Sequence, residues 1–183
     1  VVIFLGINRG SYIKKGIPYF EKALTEIEKK YGNKVTISVC ENQPYEAYIK
    51  LYQEAHIVLD QIYAMDQGYN ALEAMAKGKA VFTGANEAFT NYYHLTENVA
   101  IHALPDKDYL VQQLSYLIEN PSKIKEIGKR ARAFIEKLGL AHIWNLGIEE
   151  ITVPEAVPEK VFWAAGKLYS LKKMQMPARS EEH

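Results

Sequence analysis

The stretch from Ala55 to Phe82, AHIVLDQIYAMDQGYNALEAMAKGKAVF, constrains the fold of this chain most strongly. It begins with the apolar run Ile57 to Leu59, which is typical of a strand buried on both faces. A polar loop follows, and a helix is predicted from about Tyr69 until Gly78 ends it. The apolar residues Ala80 to Phe82 then predict another strand. Strand, helix and strand in this order imply a right-handed crossover and therefore a parallel sheet.

The remaining apolar patterns extend this alternation along the chain. Strands are predicted at residues 1–5, 35–39 and 99–103, and helices at residues 17–31, 45–54, 107–118 and 121–138. Asp106 is expected to cap the third of these helices, and Asn120-Pro121 to start the fourth. The apolar residues expected to face the core are Tyr48, Leu51 and Tyr52 in the second helix and Ile124, Ile127, Ala131, Phe134, Ile135 and Leu138 in the fourth. Residues 86–98 suggest a loop or a broken helix. The predicted fold class is therefore α/β, a doubly wound parallel sheet with helices on both faces. Ligands of such sheets bind beyond the carboxyl ends of the strands.

The composition changes near the end of the chain. The 183 residues suit one domain of ordinary size, but Pro154 and Pro158 mark a break after Thr152. We expect a compact domain at 1–152, a linker and an amphipathic helix at 153–175, and a disordered tail at 176–183. Because Val1 already lies in a strand pattern, we also expect the chain to be a fragment of a longer protein.

Charge, cysteine content and hydropathy exclude several classes of function. Lysine plus arginine equals aspartate plus glutamate at 22 each, which argues against a nucleic-acid partner. Cys40 is the only cysteine, so an internal disulfide is excluded, and a reducing, cytoplasmic location is expected. No apolar run is long enough to predict a transmembrane segment, and the histidines lack metal-ligand spacing, so neither a metal nor a cofactor is predicted.

The entrance to the helix of the central stretch is the first candidate binding site. The amides of Tyr69, Asn70 and Ala71 would lie at the positive end of the helix dipole and could hold a phosphate. Gly68 would allow close approach and an unusual backbone angle. Glu73, one turn further on, could accept hydrogen bonds from the vicinal hydroxyls of a ribose. Alternatively, Gly68 only makes a tight turn and Glu73 is an ordinary surface residue.

The loop after the first strand is the second candidate. It contains Arg9, Lys14 and Lys15, and a parallel sheet would place it at the same edge as Gly68. A guanidinium and an ammonium together suit a diphosphate. The Walker and Rossmann glycine motifs are both absent. Taken alone, this loop is better explained as a flexible, solvated basic segment.

Together the two loops resemble a known family, the donor-binding C-terminal domain of GT-B glycosyltransferases of the retaining family-four (group 1) type. That family has an arginine after the first strand and a Lys-Gly pair six residues later, which here are Arg9 and Lys15-Gly16. It also has a glycine followed by L-E-A-M-A-x-G-x-x-V, here Gly68 and then residues 72–81. The segments YQEAHIVLD and PSKIKEIGKRARAFIE are similar to family segments as well.

The resemblance implies a role for each site residue. Arg9 and Lys15 would bind the donor diphosphate and stabilise the leaving nucleoside diphosphate. The amides of Tyr69, Asn70 and Ala71 would hold the distal phosphate, and Glu73 would bind the ribose.

The chain also departs from the family pattern. Met65 stands where the family has a sugar-contacting glutamate, and Asp60-Gln61 replaces the usual Pro-Ser. Asp66 is the first candidate to substitute for that glutamate, and Asp60 and Gln61 are the alternatives.

The resemblance further implies a nucleotide-diphospho-sugar donor, a role in polysaccharide biosynthesis and a separate N-terminal acceptor domain outside this sequence. The helix expected within residues 153–175 would be a crossing helix, which runs from the donor domain back onto that acceptor domain. An isolated donor domain would bind the donor but transfer little sugar. The longer protein could associate peripherally with a membrane. Two other functions remain open: a GT-B-like sugar-nucleotide epimerase, and a non-catalytic nucleotide-binding or interaction module.

Overall fold

The structure is a computed structural model that describes residues 1–41, 43, 45–64 and 67–138. Within them, strands and helices alternate up to the last two helices. The strands are β1 (Val2–Ile7), β2 (Thr36–Glu41), β3 (Ile57–Leu59), β4 (Ala80–Thr83) and β5 (Ile101–His102). The helices are α1 (Ile17–Tyr31), α2 (Tyr45–Glu54), α3 (Tyr69–Ala76), α4 (Glu87–Tyr92), α5 (Lys107–Glu119) and α6 (Pro121–Lys137). The predicted linker, crossing helix and tail lie outside the described residues.

The five strands form one sheet in the order β2-β1-β3-β4-β5, and every pair is parallel. The register places Leu5 of β1 beside Val39 of β2 and Leu59 of β3. The chain winds in one direction from β1 to β2 and in the other from β3 to β5. This confirms the predicted doubly wound α/β fold, and the switch in direction lies at the carboxyl ends of β1 and β3.

Alternate residues of the strands build two cores, one on each face of the sheet. Ile3, Leu5 and Ile57 point to one face and are fully buried against α1 and α5. Phe4 and Val58 point to the other face, where α3 and α6 pack. Because both faces are covered, β1, β3 and β4 are largely apolar and buried along their length, as expected for a parallel sheet, whereas the edge strand β2 is partly exposed.

The helix boundaries show which local signals were reliable. Asp106 caps α5 as predicted, since its carboxylate accepts a hydrogen bond from the amide of Tyr109 at 3.0 Å. Pro121 opens α6 as predicted, but Asn120 does not cap that helix with its side chain. Instead, its Nδ2 donates to the carbonyl of Tyr116 at 2.8 Å, which ends the preceding helix.

In the ambiguous segment 86–98, a short helix forms because Asn86 caps the amide of Phe89.

Helices α3 and α6 touch through two glycines. Gly78, at φ +70°, turns the chain from α3 into β4, and Gly128 lies against it in α6. A Cβ built on Gly128 would lie 2.1 Å from the carbonyl oxygen of Gly78. The two backbones therefore approach more closely than any side chain at residue 128 would permit.

His56 joins β3 to β1 through its side chain. Its Nδ1 accepts a hydrogen bond from the amide of Val2 at 3.0 Å, so that nitrogen is unprotonated in this arrangement. Desolvation of the ring, together with the positive charges of the amino terminus, Lys79 and Lys125, lowers the pKa of His56.

The domain is therefore expected to lose stability in acid through His56. The folded state resists protonation of this ring, while the unfolded chain takes up the proton near the ordinary pKa of about 6.5. Stability from this residue is thus fully present above that pKa and declines as the pH falls below it. Thermal unfolding followed by circular dichroism from pH 8 to pH 5 measures the decline.

The matched variant is His56→Asn, because an amide oxygen can accept the same bond without titrating. Its melting temperature should depend less on pH than that of the wild type. Parallel curves for the two proteins would contradict the role assigned to His56.

Within the described residues, no helix is both long enough and apolar enough to cross a bilayer.

Candidate functional site

A cleft of about 240 Å³ lies at the carboxyl ends of β1 and β2. Lys15 reaches it from the loop after β1, and Asn70 reaches it from the first turn of α3. The fold therefore brings together one residue from each of the two candidate sites predicted from the sequence. The cleft is completed by Gly6, Ile7, Asn8, Cys40, Gln43 and Tyr48.

Lys15 is held in this cleft through both its side chain and its backbone. Its ammonium donates to Oδ1 of Asp60 at 2.9 Å, and its carbonyl accepts from the amide of Ile62 at 3.0 Å. The Asp60 side chain is 1% exposed and that of Lys15 is 24% exposed, so the lysine is the partner that reaches solvent. Gly16 follows at φ +70°, where a Cβ would lie 2.8 Å from Ile62. The loops after β1 and β3 are thus fastened together beneath the cleft.

Arg9 lies at the rim of the cleft rather than among the residues that line it. Its Nε and Nη2 each donate to one carboxylate oxygen of Glu41, both at 2.5 Å. Its guanidinium also lies 4.8 Å from the ring centre of Tyr12. The hydrogen bonds with Glu41 raise the pKa of Arg9 and lower the pKa of Glu41. Both side chains are about half exposed, so this is a surface ion pair.

The first turn of α3 shows one difference from the sequence prediction. Gly68 precedes the helix at φ −67° and ψ 167°, an ordinary extended conformation, so the expected unusual backbone angle was wrong. A Cβ at Gly68 would find its nearest neighbour at 3.8 Å, which is ordinary contact. Tyr69 is partly exposed, whereas the methyl group of Ala71 is buried in the core. Asn70 and Ala71 have no carbonyl acceptor within the helix, because Leu72 makes the first intrahelical bond, to Gly68.

Glu73 lies one turn beyond Asn70 on the same face of α3. Its side chain is 14% exposed, and its carboxylate lies 3.3 Å from the ammonium of Lys77. Lys77 in turn lies over the ring of Tyr52, whose hydroxyl donates to the carbonyl of Asn70. Glu73 is therefore a mostly buried, paired carboxylate one turn from a residue that lines the cleft, rather than a fully exposed residue.

The structure limits the substitutes for the missing sugar-contacting glutamate. Both carboxylate oxygens of Asp60 are engaged, one by Lys15 and the other by the hydroxyl of Thr83 at 3.1 Å. Asp60 is buried, so it is not available to a sugar. Gln61 is half-buried near Gly68. Asp66 and Met65 lie outside the described residues, so the role of Asp66 stays a prediction.

Sequence analysis did not single out Asn8, Gln43 and Tyr48 as cleft residues. Asn8 follows β1, and its side chain also accepts from the amide of Gly10, forming a single 3-10 turn. Tyr48 packs against Phe4 with its ring centre at 5.1 Å, and the absence of a side chain at Gly6 makes room for its ring. Tyr48 fitted the predicted helical stripe as a buried anchor, and periodicity cannot show that such an anchor also faces a cleft.

A larger cleft of about 370 Å³ lies between β5, α5 and α6. It contains none of the site residues predicted from the sequence. Its charged side chains are engaged with neighbouring groups: Lys123 pairs with Glu126 at 2.8 Å, and Arg130 donates to the carbonyl of Asn98 at 3.0 Å. The smaller cleft, with Lys15 and the amino end of α3, is therefore the candidate functional site.

Comparison with known protein families shows which family this chain belongs to. The family model described as "Glycosyl transferase-like" matches residues 19–144, which is more than half of the chain. The chain belongs to this family. It is a glycosyltransferase domain with the fold of the C-terminal half of GT-B enzymes, as the sequence motifs indicated. Among curated proteins, none matches this sequence.

Two solved structures support the fold. The C-terminal domain of a glycosyl transferase group 1 family protein from Francisella tularensis matches at 18% identity and a TM-score of 0.53, covering 74% of this chain and 84% of that one. A protein named as a UDP-N-acetylglucosamine 2-epimerase from Listeria monocytogenes matches at 13% identity and a TM-score of 0.51, over 84% of this chain and 46% of that one. The UDP-GlcNAc 2-epimerase of Neisseria meningitidis has a TM-score of 0.46 at 17% identity, over 75% of this chain and 44% of that one. The glycosyltransferase domain thus spans under half the length of either epimerase.

Proposed function

We propose that this domain binds the nucleotide-diphospho-sugar donor of a glycosyltransferase. One observation carries the proposal: the cleft that places the Lys15 ammonium and Asn70, at the amino end of α3, together at the carboxyl edge of the sheet. A fixed cation and the amino end of a helix both favour the negative charge of a phosphate.

The proposed roles of the residues follow from their positions. Lys15 neutralises charge that develops on the leaving nucleoside diphosphate, and Arg9 joins it from the rim. The amides at the start of α3 hold the distal phosphate. Glu73, on the same helix face as Asn70, accepts hydrogen bonds from the ribose hydroxyls, and Asp66 takes part in sugar recognition. The ring of Tyr48 on the cleft wall offers an apolar surface to the base.

The proposal extends to the protein from which this domain derives. The acceptor substrate would bind to a separate N-terminal domain, and sugar transfer would take place in the cytoplasm between the two domains. The donor domain alone would bind a nucleotide without transferring sugar at an appreciable rate. The epimerase function stays an alternative, and the similarity to epimerases in fold alone does not favour it.

The test is calorimetric titration of the domain with UDP and GDP, without added divalent cation. Binding of at least one of them is expected, and replacing Glu73 with alanine should weaken it by about 1–3 kcal/mol, as for a hydrogen bond to a charged group. The reason is the loss of the carboxylate that accepts from the ribose.

Lys77→Ala is the matched control, because it removes the same ion pair from the other side while keeping the Glu73 carboxylate. It should leave the affinity nearly unchanged. Equal losses in the two variants would assign the effect to the ion pair. Absence of binding by the wild type, or strict dependence on magnesium, would overturn the proposal.

A further inference from the structure

Glu41 ends β2 directly at the rim of the cleft. In the sheet register it lies beside Ile7, the last residue of β1, and both Ile7 and its neighbour Asn8 line the cleft. Cys40, just before Glu41, and Gln43, two residues later, line it as well. The backbone of Glu41 is therefore fixed by strand pairing next to the site at which a diphosphate would bind.

The hydrogen bonds between Arg9 and Glu41 use the groups that a phosphate would need. Two parallel N–H groups of a guanidinium bind carboxylate and phosphate oxygens in the same forked geometry. In this structure Nε and Nη2 of Arg9 both donate to Glu41. A diphosphate that used the same two donors would have to displace the carboxylate.

Exposure shows that this displacement is feasible. The side chains of Arg9 and Glu41 are 50% and 40% exposed, so either group can return to water. The other cation of the site differs, because Lys15 is held by a carboxylate that is almost fully buried. Exposed pairs contribute little to stability, so exchanging Glu41 for another anion costs the fold little.

We propose that Glu41 competes with the donor diphosphate for the Arg9 guanidinium and thereby lowers the affinity of this domain for its nucleotide. This inference rests on the proposed function, because it assumes that a diphosphate binds in the cleft. It adds a residue that sets donor affinity, one that neither the motifs nor the family match identified.

The experiment compares Glu41→Gln with the wild type in titrations with UDP and GDP. The amide keeps the size of the side chain but removes its charge, so the nucleotide should bind about three- to tenfold more tightly. The melting temperature should change little. In an Arg9→Ala background, the same substitution should change the affinity less than about twofold, because the competed group is gone.

Glu136→Gln is the matched control. Glu136 forms a comparably exposed ion pair with Arg132 at 2.8 Å in α6, and its substitution changes the net charge equally. It should not change nucleotide affinity, and an equal gain would overturn the proposal by showing a general charge effect.

The remaining outcomes separate this inference from the proposed function. Unchanged affinity in Glu41→Gln, with or without a lower melting temperature, would show that the pair is only a structural clamp and would overturn this inference alone. If neither protein bound UDP or GDP, the proposed function would fail and this inference with it.

Discussion

Replacing Gly128 with alanine is expected to lower the free energy of unfolding by about 3 kcal/mol, the upper end of the range for overpacked sites. The new Cβ would lie 2.1 Å from the carbonyl oxygen of Gly78 and 2.9 Å from its carbonyl carbon. Both are backbone atoms, so no side-chain rotation relieves the clash. Helix α6 would have to move away from α3, and the core on that face would loosen. Urea denaturation measures the loss.

Two opposing effects make the sign of this prediction informative. In an exposed helix, replacing glycine with alanine stabilises by roughly 0.5–1 kcal/mol. A stabilised Gly128→Ala protein would therefore show that the two glycines do not touch. The control is Lys125→Ala, an exposed position on the same helix, which should stay within about 0.5 kcal/mol of the wild type.

The Gly128 contact illustrates what the sequence could and could not predict about the fold. Apolar spacing correctly predicted which residues of α6 face the core, including Ile124, Ile127 and Phe134, and all three are buried. Capping residues and proline located the starts of α5 and α6. The spacing of apolar residues within one helix does not specify the distance between two helix axes, however. That distance depends on residues far apart in sequence. The sequence of α6 alone therefore does not indicate that Gly128 contacts Gly78.

The site was predictable to the extent that it follows from topology. Lys15 belongs to a loop and Asn70 to a helix start at the same edge of a parallel sheet, and the structure places both in one cleft. The partners of the two predicted cations were not predictable. Glu41 meets Arg9 because of the β1–β2 register, and Asp60 meets Lys15 because two loops pack on each other. Motifs identify the residue types at a site, whereas their ion pairs depend on tertiary contacts.

Replacing Asp60 with alanine is also expected to destabilise the domain strongly, by about 2–4 kcal/mol. Asp60 is almost fully buried and binds both the Lys15 ammonium and the Thr83 hydroxyl. Its removal leaves a buried hydroxyl without its acceptor and an ammonium without its counter-charge. The value is below the usual 3–5 kcal/mol for a broken buried pair because Lys15, at 24% exposure, can turn towards water.

Asp60→Asn separates the charge from the hydrogen bonds in this contact. The amide oxygen can still accept from Lys15, and the amide nitrogen can donate to the hydroxyl of Thr83, so both contacts can persist without the negative charge. This variant should lose less than half as much stability as Asp60→Ala in the same urea denaturation. If both variants were as stable as the wild type, the loops after β1 and β3 would be held by the backbone bond from Ile62 to Lys15 alone. If both lost equally, the charge rather than the hydrogen bonding of Asp60 would hold Lys15 in the cleft.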